Sequence, residues 1–167
     1  MTPLTAYITR YLEGGLEKAL SAPMLLVEPS KEELEAAKHE EYQFQTESGV
    51  GTPAPGKGAP YVLEVRKHKN NAFQRGITVG RTGNNDLIID DGSVSRFHAW
   101  FQLDRESGLW CVADAGSKNG TRLGRNRLPA KKLTTVKGGD RLRFGKVGTI
   151  FLLPKDFVAV LKTRLNA

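Results

Sequence analysis

The sequence predicts an all-β protein: an antiparallel β-sandwich of about 10–11 short strands, with a helical segment before it and a short helix after it. Three observations lead there. Beyond residue 60, apolar or alternating runs of strand length follow one another: "YVLEVRK", "GITVG", "DLIID", "FHAWFQL", "LWCVAD", "KLTTV", "DRLRFG" and "GTIFLL". Turn residues such as "ESG", "NG" and "KGG" separate several of them. No helical period interrupts the series before Pro154, which favours sheets packed face to face over βαβ units.

Each segment has its own justification. From Pro3 to Leu20, Leu4, Ile8, Tyr11, Leu12, Leu16, Ala19 and Leu20 recur at helical steps, with Gly14-Gly15 as a weak point. Ser30-Lys31-Glu32-Glu33 has the form of a capping box opening a second helix, rich in Glu, Lys and Ala. These make residues 1–45 a helical region. Residues 46–60, "TESGVGTPAPGKGAP", lack any hydrophobic period and read as a Gly/Pro-rich linker. The sandwich occupies 61–153. In the last segment, 154–167, Phe157, Leu161 and Leu165 stand four apart on a helix whose apolar stripe should dock on the sandwich or on the N-terminal helix.

Charge is unevenly spread. Residues 1–60 hold 5 Lys/Arg against 9 Asp/Glu, whereas residues 61–167 hold 20 against 9, so the net of +7 conceals −4 followed by +11. A basic surplus of that size implies an anionic partner, be it nucleic acid, acidic membrane or phosphorylated protein. The single cysteine, Cys111, rules out an internal disulfide and a Cys-based zinc cage. With no signal-like start and no apolar run near the ~20 residues that cross a bilayer, the chain reads as cytoplasmic.

Catalytic readings fail on their motifs. His39, His68 and His98 lie in different segments, none with a second histidine at metal-ligand spacing, so no metal or other cofactor is expected. Ser95, His98 and Asp114 could be imagined as a triad, but no Gly-x-Ser-x-Gly elbow surrounds the serine. "GRTGNND" lacks the lysine and the following helix of a P-loop.

Phosphate recognition without chemistry suits the residues better, because the polar groups fall in three loops that each follow a strand. "GRTGNND" offers the permanently charged fork of Arg81. "DDGSVSRFHA" offers the hydroxyl and backbone N–H of Ser95, and "DAGSKNGT" the charge of Lys118 and the amide of Asn119. Loops from one end of a sandwich converge on a shared surface.

Gly80-Arg81, Asn85-Asp86, Ser95-x-x-His98 and Asn119-Gly120-Thr121, followed by "GGDRLRFG", resemble the forkhead-associated (FHA) domain, a phosphothreonine-binding β-sandwich, over about residues 61–153. The resemblance implies that Arg81 salt-bridges the phosphate, Ser95 bonds a phosphate oxygen, and Arg96 contacts phosphate or peptide backbone. Asn119 would grip the peptide main chain, while His98 would hold the loops, Asn85-Asp86 pin the first loop, and Gly120 and Thr121 shape the turn. Lysine at position 118 departs from the family's usual threonine, adding charge while altering the pocket for the threonine methyl.

The expected function is therefore a non-catalytic phosphothreonine-dependent interaction module in signalling. Its expected partner is a phosphothreonine-containing protein, a Ser/Thr kinase or its substrate. Thr46 and Thr52 make the chain's own N-terminal arm a further candidate once phosphorylated. Neither a membrane nor a nucleic acid is expected: the basic run "RLGRNRLPAKK" lacks interleaved aromatics for base stacking.

Overall fold

In the computed structural model, which describes residues 1–36 and 58–167, the chain forms two packed sheets and a helical layer. One sheet has seven strands in the order β1 (Thr2–Pro3), β3 (Tyr61–Glu64), β2 (Met24–Val27), β12 (Val147–Leu152), β11 (Arg141–Phe144), β8 (Thr121–Leu123), β9 (Asn126–Arg127). The other has five, β10 (Thr134–Val136), β7 (Trp110–Asp114), β6 (Ala99–Leu103), β4 (Ile77–Gly80), β5 (Leu87–Ile88). All pairings between these strands are antiparallel except β4 with β5, whose parallel register is Val79↔Leu87 and Gly80↔Ile88; a single parallel bridge also joins Asp114 to Ala130.

Alternation in the sequence becomes burial in the sheet. On β11, Leu142 and Phe144 face inward while Arg141 and Arg143 are exposed, as period-2 geometry requires. The inner faces enclose Leu25, Leu63, Val79, Phe101, Val112, Leu142, Phe144 and Phe151, with the rings of Phe101 and Phe151 stacked at 5.5 Å.

A second apolar cluster covers the opposite face of the seven-stranded sheet. Here α1 (Leu4–Leu12), α2 (Leu16–Ala19) and the C-terminal α3 (Pro154–Leu165) pack Leu4, Tyr7, Leu16, Phe157 and Leu161 on Met24, Leu26, Val62 and Leu152. Phe157 meets Tyr7 edge-on at 5.2 Å, so the C-terminal helix docks on the sheet and on α1 together.

The N-terminal segment departs from its helical reading in two ways. The helix expected from Pro3 to Leu20 is broken in two where Gly14 and Gly15 take φ of +84° and +87°, a conformation that glycine adopts at low cost. Met24–Val27 is a strand, inserted between β3 and β12. Its four residues are all buried, Leu25 and Val27 toward the inner core and Met24 and Leu26 beneath the helices. The capping box forms as expected: Ser30 N–H donates to Glu33 Oε2 and Glu33 N–H to Ser30 Oγ, opening helical residues 31–36. The linker up to residue 57, with Thr46 and Thr52, lies outside the described residues. Among the described residues no helix is long and apolar enough to cross a membrane.

Candidate functional site

The antiparallel register brings four connections to one end of the sandwich: the loop after β4, the long segment between β5 and β6, the loop between β7 and β8, and the β11–β12 turn. The first three enclose an open groove of about 950 Å³ lined by Arg81, Thr82, Asn84, Gly92, Ser93, Val94, Ser95, Arg96, Phe97, Gly116, Lys118 and Asn119. The lining contains three cations, Arg81, Arg96 and Lys118, and no carboxylate.

The first two loops are clamped together at Arg96. Its carbonyl accepts from Asn85 Nδ2 at 2.6 Å and from Thr82 Oγ1 at 3.1 Å, while Arg81 N–H donates to Ser95 O at 3.1 Å. Gly80 lies directly under this clamp. A Cβ there would overlap the Arg96 carbonyl and come within 2.6 Å of Asn85 Nδ2, so the close approach needs glycine. Arg81 itself is exposed and has no carboxylate partner among the described residues.

Asp86 is occupied elsewhere. Its carboxylate accepts from the backbone N–H groups of Thr78 (2.9 Å), His68 (2.9 Å) and Lys69 (2.7 Å) and from Lys67 Nζ (3.1 Å). Burial pushes the carboxyl pKa up, but those hydrogen bonds outweigh it and hold the group well below the usual carboxylate range. Asp86 thus fastens the β3–β4 connection to β4, whereas Asn85 does the pinning within the first loop.

His98 joins the second loop to the third. Fully buried, it accepts the backbone N–H of Ser95 on Nδ1 at 3.0 Å and places Nε2 3.0 Å from the Gly120 carbonyl. Those partners require the neutral tautomer with the proton on Nε2. Burial lowers the imidazole pKa, and the opposing pull of the Gly120 carbonyl and Asp114 does not cancel it. Because His98 binds the backbone of Ser95, no serine–histidine relay is assembled: the Ser95 hydroxyl instead accepts the Lys118 N–H at 3.1 Å. That contact occupies a lone pair of Ser95 Oγ and leaves its proton to be donated into the groove.

The third loop is built on Asp114, which accepts from Gly116 N–H, Ser117 N–H, Ser117 Oγ and Thr121 Oγ1. Burial raises the pKa of this carboxyl, and the four donors more than reverse that. Thr121 is therefore a buried anchor, and Gly120, at φ +80°, turns the chain into β8. Asn119 Nδ2 donates to Ser93 O at 2.8 Å, while its Oδ1 accepts nothing from the described residues.

The structure thus brings Arg81, Ser95, Arg96, Lys118 and Asn119 to one groove and places Gly80, Asn85, His98, Gly120 and Thr121 beneath or beside it. Sequence reasoning missed Thr82, Ser93 and Lys146. Ser93 links three loops, since its Oγ donates to Asp91 and accepts Lys146 N–H, while its carbonyl receives Asn119. The local signal for Ser93 was its place two residues after Asp91; nothing local signalled the Gly145-Lys146 turn that joins from distant sequence. Among the described residues no cluster of three or more His, Cys, Asp or Glu side chains could hold a metal ion.

The family model for the FHA domain matches residues 77–145. The chain is 34% identical over 119 residues to an oxoglutarate dehydrogenase inhibitor of Corynebacterium glutamicum, covering 65% of this chain and 80% of the relative. It is 36% identical over 111 residues to the glycogen accumulation regulator GarA of Mycobacterium tuberculosis, covering 63% of each. A solved structure of the yeast Dun1 FHA domain with a doubly phosphorylated peptide superposes with a TM-score of 0.49 at 26% identity, over 80% of this chain and 75% of that one. With the motif residues in place and a relative of this identity covered over four-fifths of its length, the chain belongs to the FHA-domain family.

Proposed function

We infer that this chain is a phosphothreonine-dependent protein interaction module that binds phosphorylated segments of partner proteins in the loop groove. The carrying observation is that three cations and the Ser95 hydroxyl line one groove without a carboxylate among its lining residues. Arg81 and Ser95 hold the phosphate, Arg96 and Lys118 add positive field, and Asn119 offers Oδ1 to a peptide N–H. Gly80, Asn85, Asp86, His98, Gly120 and Thr121 keep the loops in register. Charge-assisted bonds of this kind contribute about 1.5–3 kcal/mol each, so a dianion held by several is strongly preferred over an unmodified hydroxyl.

The reading is non-catalytic and places the chain in the cytoplasm, among protein kinases and their substrates. That His98 is committed to loop architecture supports it, as does the naming of relatives as an inhibitor and a regulator. The test is a titration of the full chain with one threonine peptide in phosphorylated and unphosphorylated forms. Binding of the phosphorylated form alone is expected; equal binding of both would replace this reading with a phosphate-independent scaffold.

A further inference from the structure

Outside the groove the structure holds a row of like charges in cross-strand register. Arg143 on β11 lies opposite Arg122 on β8, and Arg122 opposite Arg127 on β9. All three are exposed, and none has a carboxylate partner among the described residues. Adjacent strands stand about 4.8 Å apart, so the backbone positions of the three arginines span about 10 Å, and the Arg122 guanidinium donates from Nη1 to the Arg125 carbonyl at 3.2 Å. Like charges directly opposite one another on a sheet are destabilising, and this row contains no acidic residue to relieve them. Beyond Arg143 the row continues with Gly148, which has no side chain, and Glu28 on its far side is committed to Arg164.

The row is joined to the groove. Arg127 places its guanidinium over Gly120, close enough that a Cβ there would lie 2.7 Å from Nε. At the β11–β12 turn, Gly145 N–H donates to Gly120 O at 3.1 Å and the backbone N–H of exposed Lys146 to Ser93 Oγ at 2.9 Å, so the turn is tied to the two loops that Ser93 and Gly120 belong to. Arg122, the second residue of β8, follows Asn119 by three residues through the Gly120 turn, so the two stand at most about 10 Å apart, within the span of three residues of an extended peptide.

We propose that the Arg127–Arg122–Arg143 row is an electrostatic subsite of the groove that takes carboxylate side chains on the flank of the bound peptide leaving past Asn119. This rests on the phosphothreonine reading above, and it defines the ligand class as phosphothreonine segments with one acidic flank. In an extended peptide every second side chain shares a face at about 6.8 Å, so alternate carboxylates fall along the row. The absence of aromatic side chains from the row argues for a peptide over single-stranded nucleic acid, whose bases need stacking surfaces.

The test uses the full chain and fluorescence anisotropy with phosphothreonine peptides of neutral flanks, an acidic N-terminal flank or an acidic C-terminal flank. One acidic flank should bind about fivefold tighter than neutral, since exposed ion pairs are individually weak and several act together. The gain should shrink as salt rises from about 50 to about 300 mM. Arg122→Ser with Arg143→Ser should abolish it, whereas Arg105→Ser, in the turn at the opposite end of β6 and β7, should leave it. Arg143→Glu, which sets a carboxylate opposite Arg122, should melt no lower than wild type and also lose the preference. No gain, an equal gain on both flanks, a gain surviving the double variant, or tighter binding of a single-stranded oligonucleotide would overturn the subsite. Failure of the neutral phosphopeptide to bind at all would instead overturn the groove reading beneath it.

Discussion

The imidazole of His98 accepts the backbone N–H of Ser95 at 3.0 Å, from inside the protein, and so fixes a groove residue through its main chain. The serine side chain stays available to a ligand because the histidine does not touch it. Replacing His98 with Ala leaves the Ser95 N–H without its partner and the Gly120 carbonyl with the Gly145 N–H alone, which should cost about 1–3 kcal/mol in urea unfolding. Phosphopeptide affinity should fall with it, since Ser95 and the third loop both lose an anchor.

The same residue gives a pH dependence whose sign follows from its lowered pKa. The unfolded chain takes up the histidine proton first, near pH ~6.5, while the folded chain resists it. The stability that neutral His98 contributes is therefore complete above that value and lost as pH falls from it toward the lower folded pKa. Unfolding midpoints measured between about pH 7.5 and about pH 5 should decline in wild type and decline less in His98→Ala.

Asp86 should be costly to neutralise. Asp86→Asn removes a buried charge that faces Lys67 and replaces one accepting oxygen with a donor aimed at N–H groups. A loss of about 3 kcal/mol is expected by chemical denaturation. Because the folded pKa is depressed, its stabilisation is present above the unfolded value near ~3.9 and lost as pH falls through the folded pKa, so wild type should lose stability in acid more steeply than the variant.

Gly80→Ala tests the clamp by sterics alone. The added methyl meets the Arg96 carbonyl and Asn85 Nδ2, both held by other bonds, so the loops must separate. Destabilisation of about 1–3 kcal/mol is expected, together with weaker phosphopeptide binding, read by thermal unfolding and calorimetry.

The sandwich and its loops were legible because their signals are local: alternation on β6 and β11, turn residues between strands, and motif residues a few positions apart. Met24–Val27 escaped the same reading because a strand buried on both faces does not alternate, and its partners, β3 and β12, lie more than 30 residues and more than 100 residues along the chain. Asp86 was legible as a motif residue but not as the anchor of the β3–β4 connection, since its donors from Lys67 to Thr78 converge only through the fold. Arg122 and Arg127 were visible as part of the basic run "RLGRNRLPAKK", but Arg143 joins them only through the register between β8, β9 and β11, which turns the three into a row.

The central claim rests on Arg81, an exposed guanidinium at the groove with no carboxylate partner among the described residues. Calorimetry of the full chain and its Arg81→Ala variant with one phosphothreonine peptide tests it most directly. Loss of about 1.5–3 kcal/mol, roughly 10- to 150-fold in Kd with unfolding unchanged, is the expected result. An unchanged Kd would contradict the account.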